Sequence, residues 1–446
     1  MNDKIKTPSK TPAQSPGPGG LDPALIAQKR KASEQDTGHN AGRRIPDVPL
    51  AKHVNHTPFW SQYYQSVDAH GEVFHTVVTR IGYDMRTVPR GEAGGLLGYA
   101  ADKAELAMGD VFADPQNHNK TEPLQSELLW ESDFCAYKPK CDVLVINAAS
   151  RPSLSEWQRS ISIHRNPDLV PRAKRWGCAV MLDWKDEEGQ KQHWHKRLDV
   201  TGPRQVGVLG GTSEPQEASE VVLGWHKAFG GPGDERNPLG VGHASSKSDR
   251  APQQEVGGKA YRGGILQGHY PPAGLGPVGK AWLPRRSKAG TYDNAWLKDQ
   301  WPLPPEDFDY GYWNCAPEDQ QIDYPTPGAE ISLVNLWPPL AEGQKPPAGN
   351  AKTEIWRGRL PMHQLFLLWR LHSGPMLTKD AMLDTLVVDL QAQRIDAVYR
   401  SVMSAKADVR AVETRLETDP QKAQAQLDAL DKQLQKAQDK ERRHGR

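Results

Sequence analysis

The chain has 446 residues, 37% of them apolar, a net charge of +1 and a mean hydropathy of -0.71. That length allows two or three domains and a real core, while the near-zero charge argues against a global field for nucleic acid, a membrane surface or a strongly acidic substrate. No apolar run approaches the roughly eighteen residues of a membrane-spanning helix, and the start MNDKIKTPSKTPAQSPGPGG lacks a secretory core, so residence in the cytoplasm is the expectation.

Residues 1–52 are rich in Lys, Arg, Pro, Ser and Gly and read as a disordered polar tail, with transient helix at most around Pro23–Ala32. Phe74–Asp84 carries β-branched residues in near alternation and predicts the first strand. CDVLVINA from Cys141 is a nearly continuous apolar strand, expected to pair in antiparallel fashion with the alternating Trp157–Ile163. Further strands are expected at Gly177–Asp183, His195–Val200, Gln205–Leu209, Glu220–Trp225 and Glu330–Leu336. Short strands with Gly and Pro between them predict a mainly β fold, a β-sandwich or barrel-like core with long Gly/Pro/Trp-rich irregular loops.

Pro271–Gln321 packs prolines, glycines and aromatics together, so neither a continuous helix nor a ladder can form there. Its rings, Trp282, Tyr292, Trp296, Trp301, Phe308, Tyr310, Tyr312 and Trp313, are the natural anchors for an ordered irregular path, and an ordered loop of this length is usually functional. Further on, Pro361–His372 fits a short helix or a strand equally, and the run from Thr385 to Arg400 predicts a hairpin. Beyond Ser404 the spacing of Val409, Val412 and Leu416 predicts a helix. A second helix begins at Asp419-Pro420 with a stripe of Ala423, Leu427, Leu430, Leu434 and Ala437. The resulting division is tail 1–52, β-rich core 53–340, linker and additional hairpin 341–403, and C-terminal helices 404–446.

Motifs for catalysis are sparse. The four cysteines, Cys135, Cys141, Cys178 and Cys315, form no CxxC pair and read as reduced thiols. His193 and His195 flank Trp194 at strand spacing, but without a nearby cysteine or carboxylate at ligand spacing they are read as solvent-facing, and no metal or other cofactor is expected. Glu306, Asp307 and Asp309 offer a carboxylate cluster for a hydrolase; the competing reading is a loop whose Asp side chains cap its own amides. Arg285, Arg286 and Lys288 form a small basic patch, expected to be solvated and able to meet an acidic partner.

Several words in order, LVINA at Leu144, AFGG at Ala228, NPLGVG at Asn237, PPAGLGPVGKAWLPR at Pro271, AGTYDNAW at Ala289, PLPPEDFD at Pro302 and NCAPEDQQ at Asn314, resemble the bacterial family catalogued as domain of unknown function 2169. The resemblance spans roughly Pro58–Pro339. It implies a type VI secretion accessory protein, an adaptor or chaperone without enzymatic activity that loads a PAAR-bearing effector onto the VgrG spike in the cytoplasm. The tail, the charged stretch 165–190 and the C-terminal helices stand outside the shared words, and QQEVGG at Gln253 keeps part of the family's Pro-Asn-Leu-Glu pattern. The partner-binding residues expected on this reading are Trp282, Arg285, Arg286, Lys288, Tyr292 and Trp296, with Leu427, Leu430 and Leu434 on the last helix.

Overall fold

The computed structural model describes residues 48–90, 94–112, 128–150, 176–186, 188–200, 221–222, 274–280, 282–339, 341, 353–372, 374, 376–404 and 408–418. The protein is mainly β, as its sequence predicts, and its larger sheets are open rather than closed into a barrel. A seven-stranded sheet runs in the order Gln321–Ile322, Cys141–Ile146, Met382–Asp389, Arg394–Ser404, Val73–Asp84, Trp60–Val67, with Gly98–Tyr99 paired to the end of Val73–Asp84. A five-stranded sheet has the order Lys191–Val200, Trp176–Lys185, Glu330–Val334, Ile355–Arg359, Gly95–Leu96. In a four-stranded sheet, Val409–Glu417 lies between Lys52–Asn55 and Gln364–Leu371, and Met376–Asp380 forms the far edge.

The strand Cys141–Ile146 is apolar along its length because both its faces are covered. Val143 and Val145 point into a core shared with Val180, Leu182, Ile331, Leu333 and Trp356 of the five-stranded sheet. Leu144 and Ile146 point the other way, onto Cys315 and Ala316. Its long neighbour is Met382–Asp389, in parallel register from Thr385 opposite Asp142 to Asp389 opposite Ile146, and Gln321–Ile322 takes its other edge at Asp142 and Cys141. The antiparallel partner expected at Trp157–Ile163 lies outside the described residues, as does Gln205–Leu209. Of Glu220–Trp225, Val221–Val222 pairs with Ala149–Ser150.

The expected hairpin forms as Met382–Asp389 against Arg394–Ser404, and it occupies the middle of the largest sheet. Gln364–Leu371 is a strand. The helix expected over Val409, Val412 and Leu416 is instead the strand Val409–Glu417. The ladder explains the misleading period. Between Arg370 and Leu371 the register shifts, so that Ala411 and Val409 face consecutive partners and Arg410 is passed over. This bulge lets residues three apart, Val409 and Val412, enter one core cluster with Leu367 and Trp369. The second helix, with Leu427, Leu430 and Leu434, lies outside the described residues.

Candidate functional site

Among the described residues from Gly274 to Gln320 the chain makes only short turns: a single α-turn Leu283–Arg286, 3-10 turns at Ser287–Ala289, Tyr310–Trp313 and Glu318–Gln320, and a π-turn Trp296–Gln300. With no ladder available, side chains satisfy the backbone. Asp293 accepts from the Trp296 N–H at 2.8 Å, and Asp309 accepts from the Gly311 N–H at 2.8 Å. Asp307 takes both the Thr291 N–H at 2.9 Å and its hydroxyl at 2.7 Å. These bonds, the backbone one first, hold the Asp307 carboxyl below its ordinary range. Gly290 has φ 82°, and a Cβ there would lie 2.8 Å from Asp307 Oδ1 and 2.9 Å from Pro305 Cβ, so the turn needs glycine. Asp307 and Asp309 are thus caps of their own loop, and Glu306 is exposed beside them.

Buried polar side chains fasten this block to the sheets. Arg285, expected in a solvated patch, is 3% exposed; its guanidinium grips Glu131 through two bonds of 2.7 and 2.6 Å. Arg285 also donates to the carbonyls of Val278 at 2.8 Å and Tyr312 at 2.9 Å. Burial pulls its pKa down, but Glu131 more than offsets this and raises it overall. Asp142, fully buried in the strand Cys141–Ile146, accepts from the N–H groups of Cys315 at 3.0 Å and Ala316 at 3.2 Å and from Asn314 Nδ2 at 3.0 Å. Lys138 Nζ, at 2.8 Å, neutralises it. Gln320 donates through one nitrogen to the carbonyls of Val143 and Leu275. Asp319 pairs with buried Lys196, and its carbonyl accepts from Trp194 Nε1 at 2.8 Å. The word NCAPEDQQ is therefore a clip between block and sheet.

The expected partner-binding residues divide by burial. Trp282 is buried and Arg285 is committed to the Glu131 carboxylate, so both are anchors, which corrects the solvated patch expected at Arg285. Trp296 is half-buried with Nε1 donating to the Leu303 carbonyl at 2.9 Å. Lys288 is half-buried, 3.8 Å from Glu318. Arg286 is exposed, and Tyr292, 45% exposed, stands edge-on to Trp296 at 4.7 Å. His193 and His195 lie side by side at 5.6 Å, with His193 Nδ1 2.7 Å from Asp183. Among the described residues no group of three His, Cys, Asp or Glu side chains is placed to hold a metal ion.

The block borders a cavity of about 400 Å³. Tyr310 stacks on Tyr137 at 4.5 Å and meets Phe74 edge-on at 6.2 Å, and both of those rings line the cavity with Tyr324, Lys379, Met382 and Arg400. Sequence reasoning passed over these residues. The available signal was a charge inside an apolar strand, as at Asp142 and Asp384: a buried strand carries one only where a partner meets it. Here Arg400 Nε bonds Asp384 at 2.5 Å.

Among the described residues no helix is long and apolar enough to cross a membrane. No curated protein and no solved structure matches the chain. One family model does, described as an uncharacterized protein conserved in bacteria, and its match runs over residues 74–400, from the strand Val73–Asp84 through the clipped block into the second strand of the central hairpin. The chain belongs to that bacterial family, DUF2169.

Proposed function

We propose that the protein is a type VI secretion accessory protein, an adaptor or chaperone that holds a PAAR-bearing effector in the cytoplasm and helps load it onto the VgrG spike. The observation that carries this reading is the collinear run of words from AFGG at Ala228 to NCAPEDQQ at Asn314, which resembles accessory proteins of that kind. The form of the block supports it. Tyr292 and Trp296 sit on an irregular path fixed by side-chain hydrogen bonds, and aromatics held rigidly give contact area at small entropic cost. A hydrolase built on Glu306, Asp307 and Asp309 has less support, because two of the three carboxylates already accept hydrogen bonds from their own loop.

The test is co-expression with the effector encoded beside the gene, followed by pull-down. The intact protein should capture the effector. Arg286→Glu with Tyr292→Ala, folded by circular dichroism, should weaken capture by about tenfold, the scale of an interface anchor. Failure of the intact protein to capture any neighbouring effector overturns the adaptor reading. Undiminished capture by the folded double variant removes Arg286 and Tyr292 from the interface.

A further inference from the structure

The cavity beside Tyr310 sits where two strands part. Arg394–Ser404 is paired along its whole length with Val73–Asp84, out to Ser404 opposite Phe74. On its other side the ladder with Met382–Asp389 stops at Arg400 opposite Met382. Among the described residues, no strand lies opposite Ser401–Ser404 on that side, because the chain before Met382 turns away into Met376–Asp380 of the four-stranded sheet. The open ladder is held by a side chain: Lys379 Nζ donates to the Val402 carbonyl at 2.6 Å. In an antiparallel strand a residue's N–H and C=O point to the same side, so the main chain of Val402 faces the cleft.

The lining matches a polypeptide better than a simple anion. Lys138 and Arg400 are neutralised by Asp142 and Asp384, so the wall has little net field. Arg400 Nη2 and Ser401 Oγ are buried behind the wall, so the donor the cleft offers is Lys379, which calls for an acceptor once it gives up the Val402 carbonyl. Asp380, whose Oδ2 accepts from Gln364 at 2.6 Å, brings a carboxylate to the same wall. Phe74, Tyr137 and Tyr324 supply rings, and Met382 and Val402 supply aliphatic surface. An occupant must offer acceptors, donors and an apolar body together, and an extended peptide does so at every second residue.

We propose that this cleft binds an extended segment of a partner polypeptide as an added strand opposite Val402, seating one bulky apolar side chain against Phe74, Tyr137 and Tyr324. The incoming strand takes the Val402 carbonyl in place of Lys379. The site is separate from the Arg286 and Tyr292 surface and does not depend on the secretion role.

The test uses the full chain with methyl-labelled methionine, the Met382 signal being assigned with Met382→Leu. Acetyl-Thr-Val-X-Val-Thr-amide, with X as Leu, Phe or Trp, is titrated in. Met382 should shift saturably for at least one peptide, with a dissociation constant below about 1 mM. Backbone N-methylation of that peptide, which removes strand donors but keeps the side chains, should weaken binding at least tenfold, and Val402→Arg, checked for fold by circular dichroism, should abolish the shift. No shift with any of the three peptides, equal binding of the N-methylated peptide, or an unchanged response in folded Val402→Arg overturns the proposal.

Discussion

The strand Cys141–Ile146 and the block Gly274–Gln320 touch along one face, yet they solve the same problem by opposite means. In the strand, neighbouring backbones take up the polar groups and two apolar layers supply the driving force, so stability is spread over many contacts. In the block, turns replace the ladder and a few side chains, chiefly Arg285, Asp142, Gln320 and the Asp caps, do what neighbouring strands do elsewhere. Stability that rests on a few buried charges is more sensitive to single substitutions. The removal of one member leaves its partner buried and unpaired.

The sharpest way to break this contrast is Asp142→Ala, which removes the joint between the two regions and strands Lys138. A loss of about 3–5 kcal/mol is expected, read from urea unfolding midpoints. A midpoint equal to the parent's would show that the carboxylate does not join them. Next comes Arg285→Met, which leaves Glu131 only the longer contact with Lys280 at 3.8 Å and should cost about 3 kcal/mol. Hydrogen exchange should then rise across residues 282–320 while Cys141–Ile146 and Arg394–Ser404 keep their protection. Equal loss in all three would mean that block and sheet open as one unit. Adding Glu131→Leu should recover part of the loss.

A pH scan probes the polar point inside the sheets themselves. His363 is buried, with Nε2 3.0 Å from the Tyr83 hydroxyl and Nδ1 3.1 Å from that of Tyr99. Burial lowers its pKa from 6.5 to about 4. Between those values the unfolded chain takes up a proton that the folded chain does not, so the contribution is full above pH 6.5 and is lost as pH falls toward 4. At pH 4.5 the loss should be about 2–3 kcal/mol, and His363→Gln should remove that part of the pH dependence; an equally steep profile in the variant would assign it elsewhere. The smallest effect belongs to Asp307→Asn. Its bonds are exposed, so thermal unfolding should change by about 0.5 kcal/mol or less, and a larger loss would place this cap among the fasteners.

What could be read in advance follows the range of the interaction. The strand at Phe74–Asp84 and the central hairpin announced themselves through local alternation and turn residues. So did the irregular path of Pro271–Gln321, since Pro and Gly exclude a ladder wherever the chain goes, and the capping by Asp307 and Asp309, whose partners lie within the same block. Arg285 could not be placed, because Glu131 lies 154 residues earlier and the motif beside it reads only as basic. Val409–Glu417 was misplaced because a bulge against Gln364–Leu371 gave a strand the spacing of a helix. The cleft at Val402 exists only because one strand outruns its neighbour.

The sequence alone therefore determined the β character, the punctuated block and the chemistry of its caps, because propensity, turn geometry and short-range hydrogen bonds act between residues close in the chain. The tertiary structure alone decided which charges are buried, which aromatics reach solvent, and which strand edge stays open. Those outcomes depend on partners brought together from distant segments, and burial converts an ordinary surface charge into a fastener only once its counter-charge has been packed against it.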